Sequence, residues 1–276
     1  MAPRLFACFG RGKYPSSAAS ASASAESNAT VDAAAEEQRR GGPVVVELFS
    51  SQGCGTSPEA EAVATRLGRG EIVSGGDIPV IVLAFHVDYW DYRGWKDPYG
   101  SSAWTVRQKA YVESLRLDTL YTPQIVVQGR AQCLGNEEDA IAAAVRSAPR
   151  VPSPSMQATF SKPSPERLQV ALAGTLRSKV DSVGVNVMVA LYQSGLVTDI
   201  NKGENKGRVV ANDYVVRRLE KLTTVKDISA KKSVSGTVTF ALWDGFNPAK
   251  CGIVVFVQNH SLHILGARQF AVPDNL

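Results

Sequence analysis

The chain has 276 residues, of which 44% are hydrophobic and 20% charged, with a formal net charge of +4. That balance suits one or two ordinary globular domains with a sizeable core. No Lys/Arg block is dense enough to track a nucleic-acid backbone, which sets nucleic acid aside as a partner. No apolar run approaches the roughly 18 residues that a membrane-spanning helix needs.

The first 41 residues open on MAPRLFACFGRGK, whose apolar run LFACF is too short for a secretory signal core. The Ser/Ala-rich stretch that follows is low in complexity, and residues 1–41 are expected to form a disordered tail. A cytoplasmic location fits this tail. An organellar transit peptide is the alternative, because no acidic residue precedes Glu26. Four cysteines, Cys8, Cys54, Cys133 and Cys251, are too scattered for a secreted disulfide framework, so reduced intracellular thiols are expected.

Order is expected from Pro43. PVVVELFS reads as a buried strand, β-branched and bounded by Gly-Gly and a polar turn. SPEAEAVATRLGRG reads as a helix, with Ser57 and Pro58 as its start signal and Glu59 and Glu61 complementing its dipole. IPVIVLAFHVDYW is apolar on both faces and reads as a central parallel strand. SAWTVRQKAYVESLRL reads as a helix with Trp104, Ala110, Tyr111 and Leu115 near one face. TPQIVVQGRAQCLG reads as a strand, a turn and a returning strand, and NEEDAIAAAVRSA as a helix capped by Asn136. Residues 42–150 therefore read as an α/β thioredoxin-like domain of order βαβαββα, with a cysteine where the first strand meets the first helix.

The proline-rich joint APRVPSPS precedes a change of period to two. In VGVNVMVALY, Val183, Val185, Val187, Val189 and Leu191 share one face. RLQVALAGTL, GTVTFALWDG, CGIVVFVQN and HILGARQFAV are further strand patterns, and NDYVVRRLEKL reads more as strand than as helix. Residues 151–276 are thus expected to form a mainly antiparallel β-sandwich domain.

The stretch SSQGCGTSPE carries the chemistry. A cysteine at a helix N-terminus has its thiolate, the nucleophilic form, favoured by unpaired N–H groups and the dipole. Gly53 and Gly55 flank Cys54 and leave room for another chain to approach. Ser57 stands where a dithiol protein carries its second cysteine, so a mixed disulfide at Cys54 must be resolved by an external thiol such as glutathione. Ser57 is also placed to cap the helix. Cys133 and Cys251 read as packing residues, and Glu47 as a salt-bridged strand residue or the counterpart of a buried relay carboxylate.

The loop FHVDYWDYRGWKDPYGS concentrates aromatic and acidic residues at the carboxyl ends of the parallel strands, where open α/β sheets bind ligands. Tyr89, Trp90 and Trp95 are candidate walls of a recognition surface, alongside the alternative that they pack the two halves together. His86 and Asp88 alternate on the strand and are candidates for one shared face, to hold a metal or proton or contact substrate; two ligands fall short of a metal site, and a satisfied core histidine is the alternative.

Taken together, VVVELFSSQGCGTSPEAE, LAFHVDYWDYRGWKDP, RQKAY, YTPQIVVQGRA and GENKGRVVANDYVVRRL resemble domain-of-unknown-function family 1223, over roughly residues 43–271. The resemblance implies a thioredoxin-like fold with a β-rich C-terminal part and a thiol site. The family's usual turn has cysteines at both ends; here Cys54 matches the first and Ser57 replaces the second. In thioredoxin-like domains the proline opening the third strand is cis and lies against the cysteine, which implies the same for Pro123, with Thr122 presenting its backbone to an extended substrate. The resulting expectation is a monothiol protein acting through Cys54, Ser57 and Pro123. Its expected partners are protein or glutathione thiols, with no resident cofactor. A non-catalytic binding or adaptor module is the alternative. The sequence does not report the oligomeric state.

Overall fold

The run VVVELFS forms strand β1 (Val44–Ser50), buried along its whole length. Strand β2 (Val80–His86) lies parallel to it, in register from Val44↔Val80 to Ser50↔His86. Burial of both faces is what strands this rich in apolar residues require. The computed structural model describes residues 41–73, 78–177, 183–226 and 232–276; apart from Gly41, the N-terminal tail lies outside them. Helix α1 (Ser57–Gly68) joins β1 to β2, and α2 (Ser102–Ser114) leads from β2 to β3 (Gln124–Val127). A tight turn then gives β4 (Ala131–Leu134), and α3 (Glu138–Ser147) completes the first half.

The two helical faces follow from the sequence. Ala60, Val63, Ala64 and Leu67 of α1 pack with Ile141 and Val145 of α3 on Val44, Val46 and Leu48. On the opposite face, Trp104 and Tyr111 of α2 cover Val45, Phe49, Leu83 and Phe85. Helices on both faces of a parallel pair are the stable way to cover it. Strand β3 runs antiparallel to β1 and β4 antiparallel to β3.

The second half is almost all strand: β5 (Ser155–Ser164), β6 (Arg167–Leu176), β7 (Val185–Gln193), β8 (Leu196–Asp199), β9 (Val209–Asn212), β10 (Val215–Val225), β11 (Lys232–Ala241), β12 (Cys251–Asn259) and β13 (Ile264–Ala271). The stretch NDYVVRRLEKL is strand, as its pattern suggested, and becomes most of β10. Val185, Val187, Val189 and Leu191 share the buried face, while Val183 precedes the strand and is exposed. They meet Leu168, Val170, Leu172 and Phe240 of the three-stranded sheet β11-β6-β5 in one apolar cluster.

The structure differs from the sequence-based expectation in how that sheet pair is built. Strand β10 pairs in parallel with β2 through Val215↔Ala84, where Ala84 N donates to Tyr214 O at 2.9 Å. One eight-stranded mixed sheet, β13-β12-β7-β10-β2-β1-β3-β4, therefore runs through both halves. Pairing of this kind covers the edge that β2 would otherwise expose.

Two helix starts also differ. The N-cap position of α1 is Thr56, and neither it nor Glu137 before α3 makes a side-chain capping bond. Asn136 is therefore not the cap of α3, and Ser57, the first residue of α1, spends its hydroxyl elsewhere.

Candidate functional site

Six residues, 51–56, carry the chain from β1 into α1. Cys54 N donates to Ser51 O (3.1 Å), and Ser57 N donates to Cys54 O (3.3 Å). The Ser57 hydroxyl accepts from Ser51 N at 3.2 Å, closing the turn on itself instead of capping the helix. Cys54 is 3% exposed, yet it belongs to none of the three apolar clusters. Its sulfur faces oxygen: Thr56 Oγ1 at 3.5 Å, and Thr122 O, to which the thiol donates, at 3.7 Å. The Thr122–Pro123 peptide bond is cis.

Thr122 is aligned by the aromatic loop. Trp90 Nε1 donates to Thr122 Oγ1 at 2.7 Å. A hydroxyl has a single proton, so with the indole as donor the Thr122 proton is left for another acceptor. Burial pushes the Cys54 thiol up, but hydrogen bonds from Ser57, Thr122 and Thr56 outweigh it, and the thiol lies below its ordinary value. Tyr89 stands beside this group, donating to Gln108 Oε1 (3.2 Å); burial pushes its phenol up to about 12.

The glycines serve the chain's own approach. A Cβ on Gly53 would lie 3.1 Å from Trp90 Cβ, and one on Gly55 would lie 3.0 Å from Glu204 Oε2. From the β8–β9 loop, Asn205 Nδ2 donates to both Gln52 O and Cys54 O at 2.9 Å, and Glu204 Oε2 accepts from Gly55 N at 2.9 Å. Gln52 is held on four sides. Its N–H reaches Asp97 Oδ2 (2.7 Å), its Nε2 reaches Thr198 (3.1 Å) and Asn212 (2.8 Å), and its Oε1 accepts from Trp95 Nε1 (3.2 Å). Trp95 thus supports the turn from behind.

His86 is fully buried, which removes it from the expected substrate contacts. Its Nδ1 lies 2.7 Å from Asp97 Oδ2, and its Nε2 lies 3.2 Å from Glu61 Oε1 as an ion pair without hydrogen-bond alignment. Burial by itself lowers the imidazole, but Asp97 and Glu61 overcome it and raise it to about 10, so His86 is an imidazolium at neutral pH. Burial pushes Asp97 up, and the charge and hydrogen bond of His86, with the backbone N–H groups of Gln52 and Tyr99, bring it below the usual carboxylate range. The two carboxylates also hold the approach to the cysteine: Glu61 accepts from Ser50 Oγ at the end of β1, and Asp97 from Gln52 N in the turn. Glu61 is therefore a buried ion-pair partner and not a dipole-complementing surface acid.

His86 and Asp88 do not work as a pair. Asp88 accepts from Thr105 Oγ1 at 2.6 Å and steadies the start of α2. Among the described residues no group of three His, Cys, Asp or Glu is placed to hold a metal ion. Glu47 is buried against Arg107, whose guanidinium also sits 5.2 Å over Phe85 and 3.4 Å from Tyr111 Oη. It is a core ion pair. Cys133 and Cys251 are free thiols that burial pushes up to about 11 and about 12.

Cys54, Ser57, Thr122, Pro123, Gly53, Gly55, Tyr89 and Trp90 are thus brought to one place, and Trp95 to its rear. Sequence reasoning missed Gln52, Glu61, Asp97, Glu204, Asn205 and Asn212. For the last three the signal was present in GENKGRVVAND, a polar, glycine-flanked stretch within the resemblance.

The family described as "Protein of unknown function (DUF1223)" matches residues 45–258. Among solved structures, the chain is similar to protein AGR_C_4864 from Agrobacterium tumefaciens, at 24% identity and a TM-score of 0.58, over 84% of this chain and 95% of that one. It is also similar to HBP35 of Porphyromonas gingivalis, at 15% identity and a TM-score of 0.58, over 83% of this chain and 75% of that one. At these identities the likeness is one of fold. No curated protein matches the chain.

Proposed function

The chain belongs to the DUF1223 family, and we propose that this member is a monothiol thioredoxin-like protein whose Cys54 forms mixed disulfides with protein or glutathione thiols. One observation carries the reading: the Cys54 sulfur lies at the head of α1 against Thr122 O, beside the cis Thr122–Pro123 bond. In the proposed reaction the Cys54 thiolate attacks one sulfur of a disulfide. That S–S bond breaks, a Cys54–S bond forms, and the departing sulfur leaves as a thiolate that takes a proton from water. The Ser57 hydroxyl does not displace the new bond, so a second external thiolate attacks it and restores Cys54. Thr122 and Pro123 offer the substrate a fixed backbone edge, and Tyr89 with Trp90 forms the wall beside it.

The 3% exposure of Cys54 favours one rival, a non-catalytic binding or adaptor module that keeps the fold without turnover. Intact-mass analysis after incubation with glutathione disulfide decides between them. A single adduct on Cys54, absent in Cys54→Ser and removed by reduced glutathione, is the expected result. A native protein that takes no adduct, with Cys54 reacting only after unfolding, leaves the adaptor reading.

A further inference from the structure

Glu204 belongs to the β8–β9 loop, yet its carboxylate takes the first backbone N–H beyond the cysteine, that of Gly55, at 2.9 Å. Its other oxygen pairs with Arg93 Nη1. The Arg93 guanidinium lies 4.8 Å over the Trp90 ring, and Trp90 donates to Thr122, which the sulfur touches. Arg208 Nη1 stands 3.4 Å from Gly55 O on the same rim. A position shaped for a carboxylate therefore adjoins Cys54, with one backbone donor and one guanidinium held flat on an indole, and the chain fills it with its own acid.

The occupant is exchangeable. The Arg93 and Glu204 side chains are 41% and 37% exposed, so water competes for the pair and weakens it. The next residue is the opposite: Asn205 is 2% exposed and pinned by its bonds to Gln52 O and Cys54 O. Gly203 (φ +75°) and Gly207 (φ +83°) turn the chain sharply on either side. The Glu204 side chain can therefore rotate outward while the loop backbone stays fixed over the cysteine turn.

We propose that Gly55 N–H and Arg93 form a carboxylate subsite beside Cys54, with Glu204 as its resident stand-in, and that it selects small anionic disulfides such as glutathione disulfide over neutral ones. The inference rests on Cys54 being the attacking sulfur. An incoming carboxylate replaces the Glu204 carboxylate, so the charge at Arg93 is conserved, and a neutral reagent has no such exchange to make. Disulfide exchange then proceeds at Cys54 as described above, with the same bonds made and broken.

The test compares rates of mixed-disulfide formation with glutathione disulfide and with neutral bis(2-hydroxyethyl) disulfide. It uses the wild-type chain, Glu204→Ala, and Glu204→Ala combined with Arg93→Gln. Emptying the subsite in Glu204→Ala is expected to raise the anionic-to-neutral rate ratio about two- to fivefold, the scale of one solvent-screened charge contact, and Arg93→Gln is expected to reverse it. Equal acceleration of both disulfides reduces Glu204 to a lid and overturns the subsite, as does an unchanged ratio. Failure of both disulfides to modify native Cys54, when the unfolded chain reacts with both, refutes instead the reading of Cys54 itself, and the subsite falls with it.

Discussion

Replacing His86 with Gln removes the cation between two buried carboxylates while keeping a side chain of similar reach. Nδ1 lies 2.7 Å from Asp97 and Nε2 lies 3.2 Å from Glu61, with no exposure of the ring. Breaking a buried ion pair by removing one partner costs about 3–5 kcal/mol. The protonation equilibrium gives an independent figure. His86 rises from 6.5 to about 10 on folding, which corresponds to about 4 kcal/mol of stability at pH 7. The sign follows from a raised folded value: the contribution is complete below about pH 6.5 and is lost as the pH climbs through about 10. Thermal melts from pH 6 to 10 read both effects. His86→Gln should melt roughly 6–20 °C lower at pH 7, at about 2–4 °C per kcal/mol for a domain of this size. The wild type should lose stability steadily over that pH range, and the variant should lose the slope. A variant melting within about 2 °C of wild type, with the wild-type pH slope retained, refutes a charged His86.

Asn205→Ala leaves the buried Gln52 and Cys54 carbonyls without their shared donor, and should lower stability by about 1–3 kcal/mol in urea denaturation. Wild-type stability in that variant removes the β8–β9 loop from the support of the turn. Trp90→Phe keeps a ring beneath Arg93 but deletes the indole N–H to Thr122. Alkylation of Cys54 at neutral pH should slow about fivefold, the worth of roughly one hydrogen bond, with little change in melting temperature. An unchanged alkylation rate shows that Thr122 does not pass its proton toward the sulfur.

What was legible in the sequence was whatever depends on local pattern. The mostly apolar runs at 44–50, interrupted by Glu47, and at 80–86 became the buried parallel pair, and the Gly-Cys-Gly turn stood between strand and helix as its composition indicated. Strand β10 followed its β-branched start despite the charges at 217–221. Strands β8 and β9, four residues each, were too short and too mixed in polarity to register. Strand β5 alternates over SMQATF, with Met156, Ala158 and Phe160 turned to the apolar cluster, but the run is short and beyond it SKPS carries no apolar position.

The site was less legible because its contacts are distant in sequence. His86 alternates with Asp88, which suggested a pair, but the chain bends after β2 and brings Asp97 to the ring from one side while α1 brings Glu61 from the other. Nothing at positions 59 and 61 distinguishes an exposed acid from a buried one until the opposing histidine is known. The glycines around Cys54 read as space for a substrate, whereas Trp90 and Glu204 of the same chain already occupy it.

The central claim, that Cys54 is the activated sulfur of this chain, is tested most directly by following iodoacetamide labelling of each cysteine against pH by peptide mass mapping. Labelling is run in the native protein and again in denaturant. Cys54 should show a lower midpoint in the native state than in the unfolded state, and should label first. Cys133 and Cys251, held near 11 and 12, should stay unlabelled at neutral pH until the chain unfolds. A native midpoint for Cys54 at or above its unfolded one contradicts the account.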